Sequence, residues 1–442
     1  MQQAAQISPY HREKAGILSA IFMTTEVACR MEIYMINVAV LGYGTVGSGV
    51  VEVLTTNKES IAKRAGDEIN IKYVLDLREF PGDPVEKVLV HDFDTIINDS
   101  EVDIVVEAMG GIEPAFTFAK ASLEAGKSYC TSNKELVAKH GPELLALAKE
   151  KNKNFLFEAS VGGGIPIIRP LNQSLTADEI MEITGILNGT TNFILTKMAK
   201  EGSSFDAVLK EAQDLGYAER NPAADVEGFD ACRKIAILTS LAYGKHVDFE
   251  DIYTEGITKI TDTDFKYASK LGLTIKLFGK SKRVEDKFYA MVAPFMVSDD
   301  NPLYSVNGVL NGILVKGNVI GDVMFYGAGA GKLPTASAVV ADVVDAAKHK
   351  NTNIMTIWSS KKLELDDIRQ SKKKFFVRVE GEPSDKISDV TEAFGSVETL
   401  KLDDVKGEFA FITSEISEAQ YEEAAEKVSG IITRIRIEDM EK

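Results

Sequence analysis

After Asp214, the stretch to Lys234 (DLGYAERNPAADVEGFDACRK) sets four further carboxylates, Glu219, Asp225, Glu227 and Asp230, ahead of a lysine that opens an apolar run. Asp230 and Lys234 lie four apart, so on a helix they share one face. An ordinary helix pair of that spacing is worth only about 0.3–0.5 kcal/mol, and taken alone that plain reading would win. The other reading is chemical. A lysine beside spare carboxylates can hold and polarise a small zwitterion, and a buried ammonium can hand a proton to a developing alkoxide. Burial would lower the Lys234 pKa toward working pH. A second lysine, Lys134, ends the run Thr131-Ser132-Asn133-Lys134. That run reads as a loop at the carboxyl end of a strand, where open α/β sheets place ligand chemistry. A solvated lysine at a helix start is the plainer account of Lys134. A place beside a ligand bound at that edge of the sheet is the functional one.

A cofactor is implied farther upstream. Ile36 to Leu41 is a continuous apolar run, the pattern of a strand buried on both faces. Gly42-Tyr43-Gly44-Thr45-Val46-Gly47 follows it and opens a helix. In that setting the first glycine permits a tight turn, the second lets backbone approach a pyrophosphate, and the third lets helix and strand pack closely. Asp76 ends the second strand and would meet a ribose hydroxyl. Arg78, two residues on, could meet a 2′-phosphate instead, which leaves NAD and NADP both open.

Two polar loops come next. Glu158-Ala-Ser-Val161-Gly-Gly163-Gly-Ile165-Pro166 is glycine-rich and follows a short strand. Its residues alone favour a plain connection over a cation site built from Glu158 and loop carbonyls. Gly185 to Asn192 (GILNGTTN) gathers small polar side chains, including Gly189 and Thr190, before a helix. Thr191 or Asn192 could cap that helix, and the density of donors also suits a polar substrate.

The elements that must position these residues alternate. Strands over 36–41, 71–75, 103–107 and 128–131, with helices between, predict a doubly wound α/β sheet over residues 36–154, completed by 326–350. Residues 155–325 read as an α+β unit with its own sheet, helices over 192–200, 205–215 and 230–243, and a strand over 287–297. Residues 351–370 are polar and charged and read as a linker. Residues 371–442 follow a strand, helix, strand, strand, helix, strand pattern, a ferredoxin-like βαββαβ unit. Residues 1–35 read as an extension of unknown role, with Met31 or Met35 as alternative starts. The chain has 442 residues and a net charge of −17. That charge argues against nucleic acid or an anionic membrane as a partner. Cys29, Cys130 and Cys232 lack zinc or disulfide spacing, so a reducing, cytoplasmic setting is expected.

Taken together, GYGTVGSGVV near Gly42, VVEAMGG at 105–111, TSNKELVAKHG at 131–141, FEASVGGGIPIIRPL at 157–171, GILNGTTNFIL at 185–195, the 212–238 stretch and YGAGAGKLPTASAV at 326–339 resemble the homoserine dehydrogenase family. The resemblance runs in order from residue 36 to about residue 350. It implies NADP- or NAD-dependent reduction of L-aspartate 4-semialdehyde to L-homoserine, and assembly through the central unit into a homodimer or homotetramer. By the same resemblance Lys234 and Lys134 are catalytic, with Lys234 as proton donor. Glu219 binds substrate, with Asp225, Asp230, Thr190 and Gly189 around it. Met109, Gly110 and Gly331 join the glycine turn, Asp76, Arg78 and Lys134 in holding cofactor. The resemblance also reverses the plain reading of the 158–166 loop: Glu158, Val161, Gly163 and Ile165 match a monovalent cation site for sodium or potassium.

There are departures. Leu75 stands where many relatives have Arg, which weakens the case for NADP. The C-terminal unit resembles an ACT domain, yet its first loop (EGEPSDKI) lacks the glycine of the ligand loop, so threonine feedback is not expected. Two rivals remain. An aspartate semialdehyde dehydrogenase would need a nucleophilic cysteine, and a non-catalytic sensor would not need paired lysines.

Overall fold

The computed structural model describes residues 35–438. The extension read over residues 1–35 therefore lies outside the described residues, except that Met35 begins the first strand. Six parallel strands form the first sheet: β1 (Met35–Leu41), β2 (Glu68–Leu75), β3 (Leu89–Val90), β4 (Val102–Glu107), β5 (Ser128–Thr131) and β6 (Phe155–Leu156). Their order is β3-β2-β1-β4-β5-β6, so the winding direction reverses between β1 and β4. That switch point is where such sheets bind ligands. Two helices start at its carboxyl edge: α1 (Thr45–Thr56) after the glycine turn and α2 (Lys134–Glu150) after β5. Asn133 caps α2 by accepting from the amides of Glu135 and Leu136, both at 3.1 Å.

The chain then builds a second sheet. Its central strands are β7 (Ile180–Ile186), β10 (Leu273–Val284), β11 (Lys287–Ser298), β12 (Leu310–Gly317) and β13 (Gly321–Ala328). The short strands β8 (Lys245–His246) and β9 (Tyr253–Thr254) lie between β7 and β10 in the chain. Helices α3 (Gly189–Glu201) and α4 (Phe229–Tyr243) cover one face. Gly279 on β10 permits that packing, because a Cβ there would lie 2.9 Å from Leu187 and 3.2 Å from Ile235. Helix α5 (Lys332–Lys348) returns to the first unit and packs on α1 at Gly49, where a Cβ would stand 2.8 Å from the Lys332 carbonyl oxygen.

The polar stretch 351–370 is not a solvated connection. Trp358 and Leu363 are buried, and β14 (Ser359–Lys362) pairs in parallel with β8. After it come β15 (Lys372–Glu380), α6 (Pro383–Phe394), β16 (Glu398–Leu400), β17 (Glu408–Ile412), the short β18 (Ile416–Ser417), α7 (Glu418–Ala425) and β19 (Ile431–Glu438). Strand order here is β19-β15-β17-β16, all neighbours antiparallel. Most of the 380–387 stretch read as a loop is helix, because Pro383 opens α6 with its φ already set. Strand β19 pairs in parallel with β11, so both sheets join into one of eleven strands. Buried arginines fasten the join: Arg378 meets Asp264 at 2.7 Å, and Arg436 meets Glu255 at 2.7 Å. Among the described residues no helix is long and apolar enough to cross a membrane.

Candidate active site

The glycine turn forms as its spacing requires. Gly42 has φ +90°, and its amide donates to the Leu75 carbonyl at 2.7 Å. A Cβ at Gly47 would stand 1.8 Å from the Gly42 carbonyl oxygen, so no other residue fits there. A Cβ at Gly44 would meet nothing, so this side of the turn is open to a phosphate. Thr45 and Val46 begin α1, whose first amides have no partner within the helix and no side-chain cap. Asp76 accepts from the Tyr43 amide at 2.8 Å and receives two Arg78 contacts, both at 2.9 Å. The Arg78 hydrogen bonds hold its carboxyl well below the usual range. The mostly exposed Arg78 guanidinium sits 5.2 Å from the Phe80 ring centroid. Across the switch point, the amides of Met109 and Gly110 donate to Glu107 at 2.6 and 3.0 Å. The other Glu107 oxygen accepts from the Thr131 hydroxyl at 2.7 Å. Glu107 thus ties together the two loops that face the glycine turn, and the sequence reading passed over it. Its only local signal is an acid ending an apolar strand.

The lysines meet on one carboxylate. Lys134, at the head of α2, pairs with Asp230 Oδ1. Lys234 pairs with Asp230 Oδ2 at 2.8 Å and donates to the Leu187 carbonyl at 2.8 Å. Asn188 donates to Asp230 Oδ2 at 2.9 Å and to Asp225 Oδ1 at 2.7 Å. The oxygen of the same side chain accepts from the Thr191 amide at 2.8 Å, so Asn188, not Thr191 or Asn192, caps α3. Gly189 is required beside it, since a Cβ would come within 2.8 Å of the Val309 carbonyl oxygen. Thr190 donates to the Tyr217 carbonyl at 2.7 Å. Glu219 is not brought to this cluster: it is exposed on the following loop, where its carbonyl accepts from Gln213 at 3.1 Å.

Burial and charge act in opposite senses here. Burial would raise Asp230, but Lys234, Lys134 and Asn188 together hold it below the normal carboxylate range. Burial pushes Lys234 down despite Asp230. Burial also works against Lys134, yet Asp230 carries it above the usual lysine value. Asp225 is raised by burial and by Asp230. The two lysines therefore differ. One is a fixed cation, and the other is a buried ammonium that yields its proton more readily. Two of the three Lys234 N–H groups are used, which leaves one for a substrate oxygen.

The glycine-rich loop contains a helical turn, Ala159–Gly162, where a plain loop is expected. Both Glu158 side-chain oxygens are occupied by amides: Ile167 at 2.6 Å, Ile168 at 2.8 Å and Arg169 at 2.7 Å. That carboxylate staples the chain, so a cation beside Val161, Gly163 and Ile165 would meet main-chain carbonyls and not this side chain. Among the described residues no group of three His, Cys, Asp or Glu side chains could hold a metal. Gly163 presses on the glycine turn before α5, with a Cβ position 2.2 Å from the Gly329 carbonyl oxygen. Gly331, at φ +118°, then starts α5. Burial raises the thiols of Cys130 and Cys232, which suits neither to nucleophilic attack.

The model of the homoserine dehydrogenase family matches residues 166–344, and the model of the homoserine dehydrogenase NAD binding domain matches residues 42–158. The homoserine dehydrogenase of Bacillus subtilis is 45% identical over 322 residues, 72% of this chain and 74% of that protein. That of Helicobacter pylori is 42% identical over 346 residues, 78% and 81% of the two chains. A homoserine dehydrogenase structure from Thiobacillus denitrificans superposes with a TM-score of 0.82 at 37% identity, covering 92% of this chain and 98% of that one. A hyperthermophilic archaeal homoserine dehydrogenase in complex with NADPH superposes at 0.62 and 28% identity, covering 73% and 99%.

Proposed function

We propose that this chain, which belongs to the homoserine dehydrogenase family, runs its reaction on the Lys134–Asp230–Lys234 cluster. The enzyme is an NAD(P)-dependent oxidoreductase that interconverts L-homoserine and L-aspartate 4-semialdehyde. The observation that carries the proposal is the buried Asp230 carboxylate with one ammonium on each oxygen. The nicotinamide cofactor, when bound over the glycine turn, supplies or accepts the hydride. Lys234 aims its remaining N–H at the substrate carbonyl and protonates the oxygen as negative charge develops there. Asp230 keeps Lys234 charged until that moment and orients it. Lys134 stays cationic and fixes Asp230 from the side of the dinucleotide unit. Asp225, with Thr190 and Gly189 beside it, receives the substrate amine. Glu219 reaches the substrate only if its loop folds inward.

The finer features follow the same reading. The open side of Gly44, with Tyr43, Thr45, Val46, Met109, Gly110 and Gly331 around it, fits either NAD or NADP. Arg78 accommodates a 2′-phosphate by leaving Asp76, and Asp76 accepts a ribose hydroxyl when Arg78 moves aside. Sodium or potassium is held by the carbonyls of Glu158, Val161, Gly163 and Ile165. The C-terminal unit is ACT-like and serves assembly into a homodimer or homotetramer. Two buried free thiols support a reducing, cytoplasmic setting. The test is homoserine oxidation assayed with NAD and NADP side by side, for wild type and Lys234→Ala. Turnover should collapse in the variant while cofactor still binds. Near wild-type turnover would remove Lys234 from its role.

A further inference from the structure

The segment between α5 and β15 crosses the seam between the dinucleotide unit and the central unit, and it is tied to both. Near its start, the Asn154 side chain donates to the Thr352 carbonyl at 3.1 Å and accepts from the Ile354 amide at 2.8 Å. Farther along, Ser359 donates through its amide and its hydroxyl to the Gly244 carbonyl, at 3.1 and 3.0 Å. Gly244 is the C-terminal cap of α4, the helix that carries Asp230 and Lys234. Between these anchors lies Trp358, 5% exposed and the only tryptophan of the chain.

The Trp358 indole rests on Gly141 of α2. A Cβ at residue 141 would stand 2.8 Å from Cη2 and 2.9 Å from Cζ3. Gly141 comes seven residues after Lys134, about two helical turns, so both lie on one face roughly 10 Å apart along the axis. The same indole meets Phe157 edge-on, with centroids 6.1 Å apart, and stacks on His246 at 6.1 Å. Phe157 leads into the Glu158 loop, and His246 follows α4. Near their N-termini α2 and α4 touch through Lys134 and Asp230, and again through Glu135 and Arg233 at 3.9 Å. One ring therefore links α2 to the chain just after α4, and the N-terminal halves of these two helices carry the lysine cluster.

We propose that Trp358 is a positioning residue for the reaction: wedged against Gly141, it sets the separation of α2 and α4 and thereby keeps Lys134 on Asp230. This rests on the reading of Lys134, Asp230 and Lys234 as the reacting cluster. The residue acts through helix placement and touches no reacting atom. A shift of 1 Å at a reacting group can cost about a hundredfold in rate, so a small change at the wedge should be measurable.

The experiment is a cycle between positions 141 and 358, followed by steady-state homoserine oxidation, thermal denaturation and pH–rate profiles. Gly141→Ala favours helix by about 1 kcal/mol, so lost helix propensity cannot explain a loss of activity. It should lower kcat by roughly tenfold or more while leaving the KM for cofactor near wild type. Trp358→Phe removes the ring edge that clashes, so the double variant should regain most of that kcat. Trp358→Ala should lower kcat and displace the pH–rate limb set by Lys234, because Lys134 no longer sits firmly on Asp230. If the alanine variant does not fold, the cycle decides alone. A Gly141→Ala enzyme with wild-type kcat, or a double variant no better than Gly141→Ala, would overturn the proposal. Failure of the underlying reading looks different: Lys134→Ala or Lys234→Ala would retain turnover, whatever the cycle gives.

Discussion

Replacing Asp230 with Asn separates electrostatics from shape. The amide keeps the volume and can accept from Lys234, but its NH2 then faces the Lys134 ammonium. One charge that served two lysines disappears. Asp230 Oδ2 lies 2.8 Å from Lys234 Nζ, and both groups are buried. Unit charges 4 Å apart interact by about 4 kcal/mol at an effective dielectric of 20. At 1.36 kcal/mol per pKa unit that is about 3 units, the shorter contact here would give more before solvent screening, and neighbouring charges commonly give ~1–3. Burial already lowers Lys234, and Asp230 is the main group opposing it. Without Asp230 the Lys234 pKa falls further.

The sign then follows for each direction of the reaction. Semialdehyde reduction needs protonated Lys234, so its rate falls as pH rises through that pKa. In Asp230→Asn this limb should move ~1–3 units toward acid. Homoserine oxidation needs neutral Lys234, so its rising limb should move the same way by the same amount. Because the groups are coupled, the apparent values belong to the cluster, but both limbs must still move together. Lys134→Gln supplies the opposite sign, because Lys134 lowers Lys234 and its removal should carry the limbs toward base. Since Lys134 is partly exposed, that shift should be the smaller one. The assay is kcat against pH in both directions at saturating cofactor. Limbs that stay in place while kcat falls would mean that Asp230 only binds substrate, and the proton-donor argument would fail.

Other outcomes can be checked more briefly. Arg78→Ala should raise the KM for NADPH and spare that for NADH; equal effects on both would remove Arg78 from 2′-phosphate recognition. Gly47→Ala should cost ~1–3 kcal/mol or more through its clash with the Gly42 carbonyl and should weaken cofactor binding, read by calorimetry and by titration with reduced cofactor. Arg436→Ala leaves Glu255 without its buried partner and Glu418 with Arg434 alone, and should cost ~3–5 kcal/mol; an unchanged Tm would show that β11 and β19 hold together without it. Glu182 beside Lys280 is lowered from 4.5 to about 2, with burial opposing and Lys280 dominating the outcome. Its folded pKa lies below its unfolded one, so its contribution is present above pH 4.5 and lost as pH falls toward 2. Acid unfolding of Glu182→Gln should therefore be less steep across that window.

The cofactor turn was legible because everything it needs is local: an apolar strand, three glycines at fixed spacing and a helix behind them. The pair Asp230–Lys234 was legible for the same reason. Strand β10 was not. It carries lysines at 276, 280 and 282, a composition that marks no buried strand, yet Lys276 and Lys280 are buried. Lys280 is tolerated there because Glu182, at 2.9 Å, and Glu438 bring opposite charge from distant parts of the chain. The 351–370 stretch misled in a similar way: its polar composition hides a buried Trp358 whose partners, Gly141, Phe157 and His246, are all distant in the chain. Glu158 shows the limit for side-chain roles, since nothing local reveals that three amides of residues 167–169 occupy its carboxylate.

The lysine cluster shows why spacing alone undervalued this site. Four residues apart on a helix, Asp230 and Lys234 would form an exposed pair of little consequence. What changes their chemistry is Lys134, which arrives from the other unit on a different helix and takes the second oxygen of the same carboxylate. Two cations then compete for one buried charge. The partly exposed Lys134 has solvent to help it and stays protonated. The buried Lys234 does not, and its pKa falls. An isolated helix could not divide the roles this way. The division depends on α2 and α4 being held together, so whatever fixes their separation also tunes the proton donor.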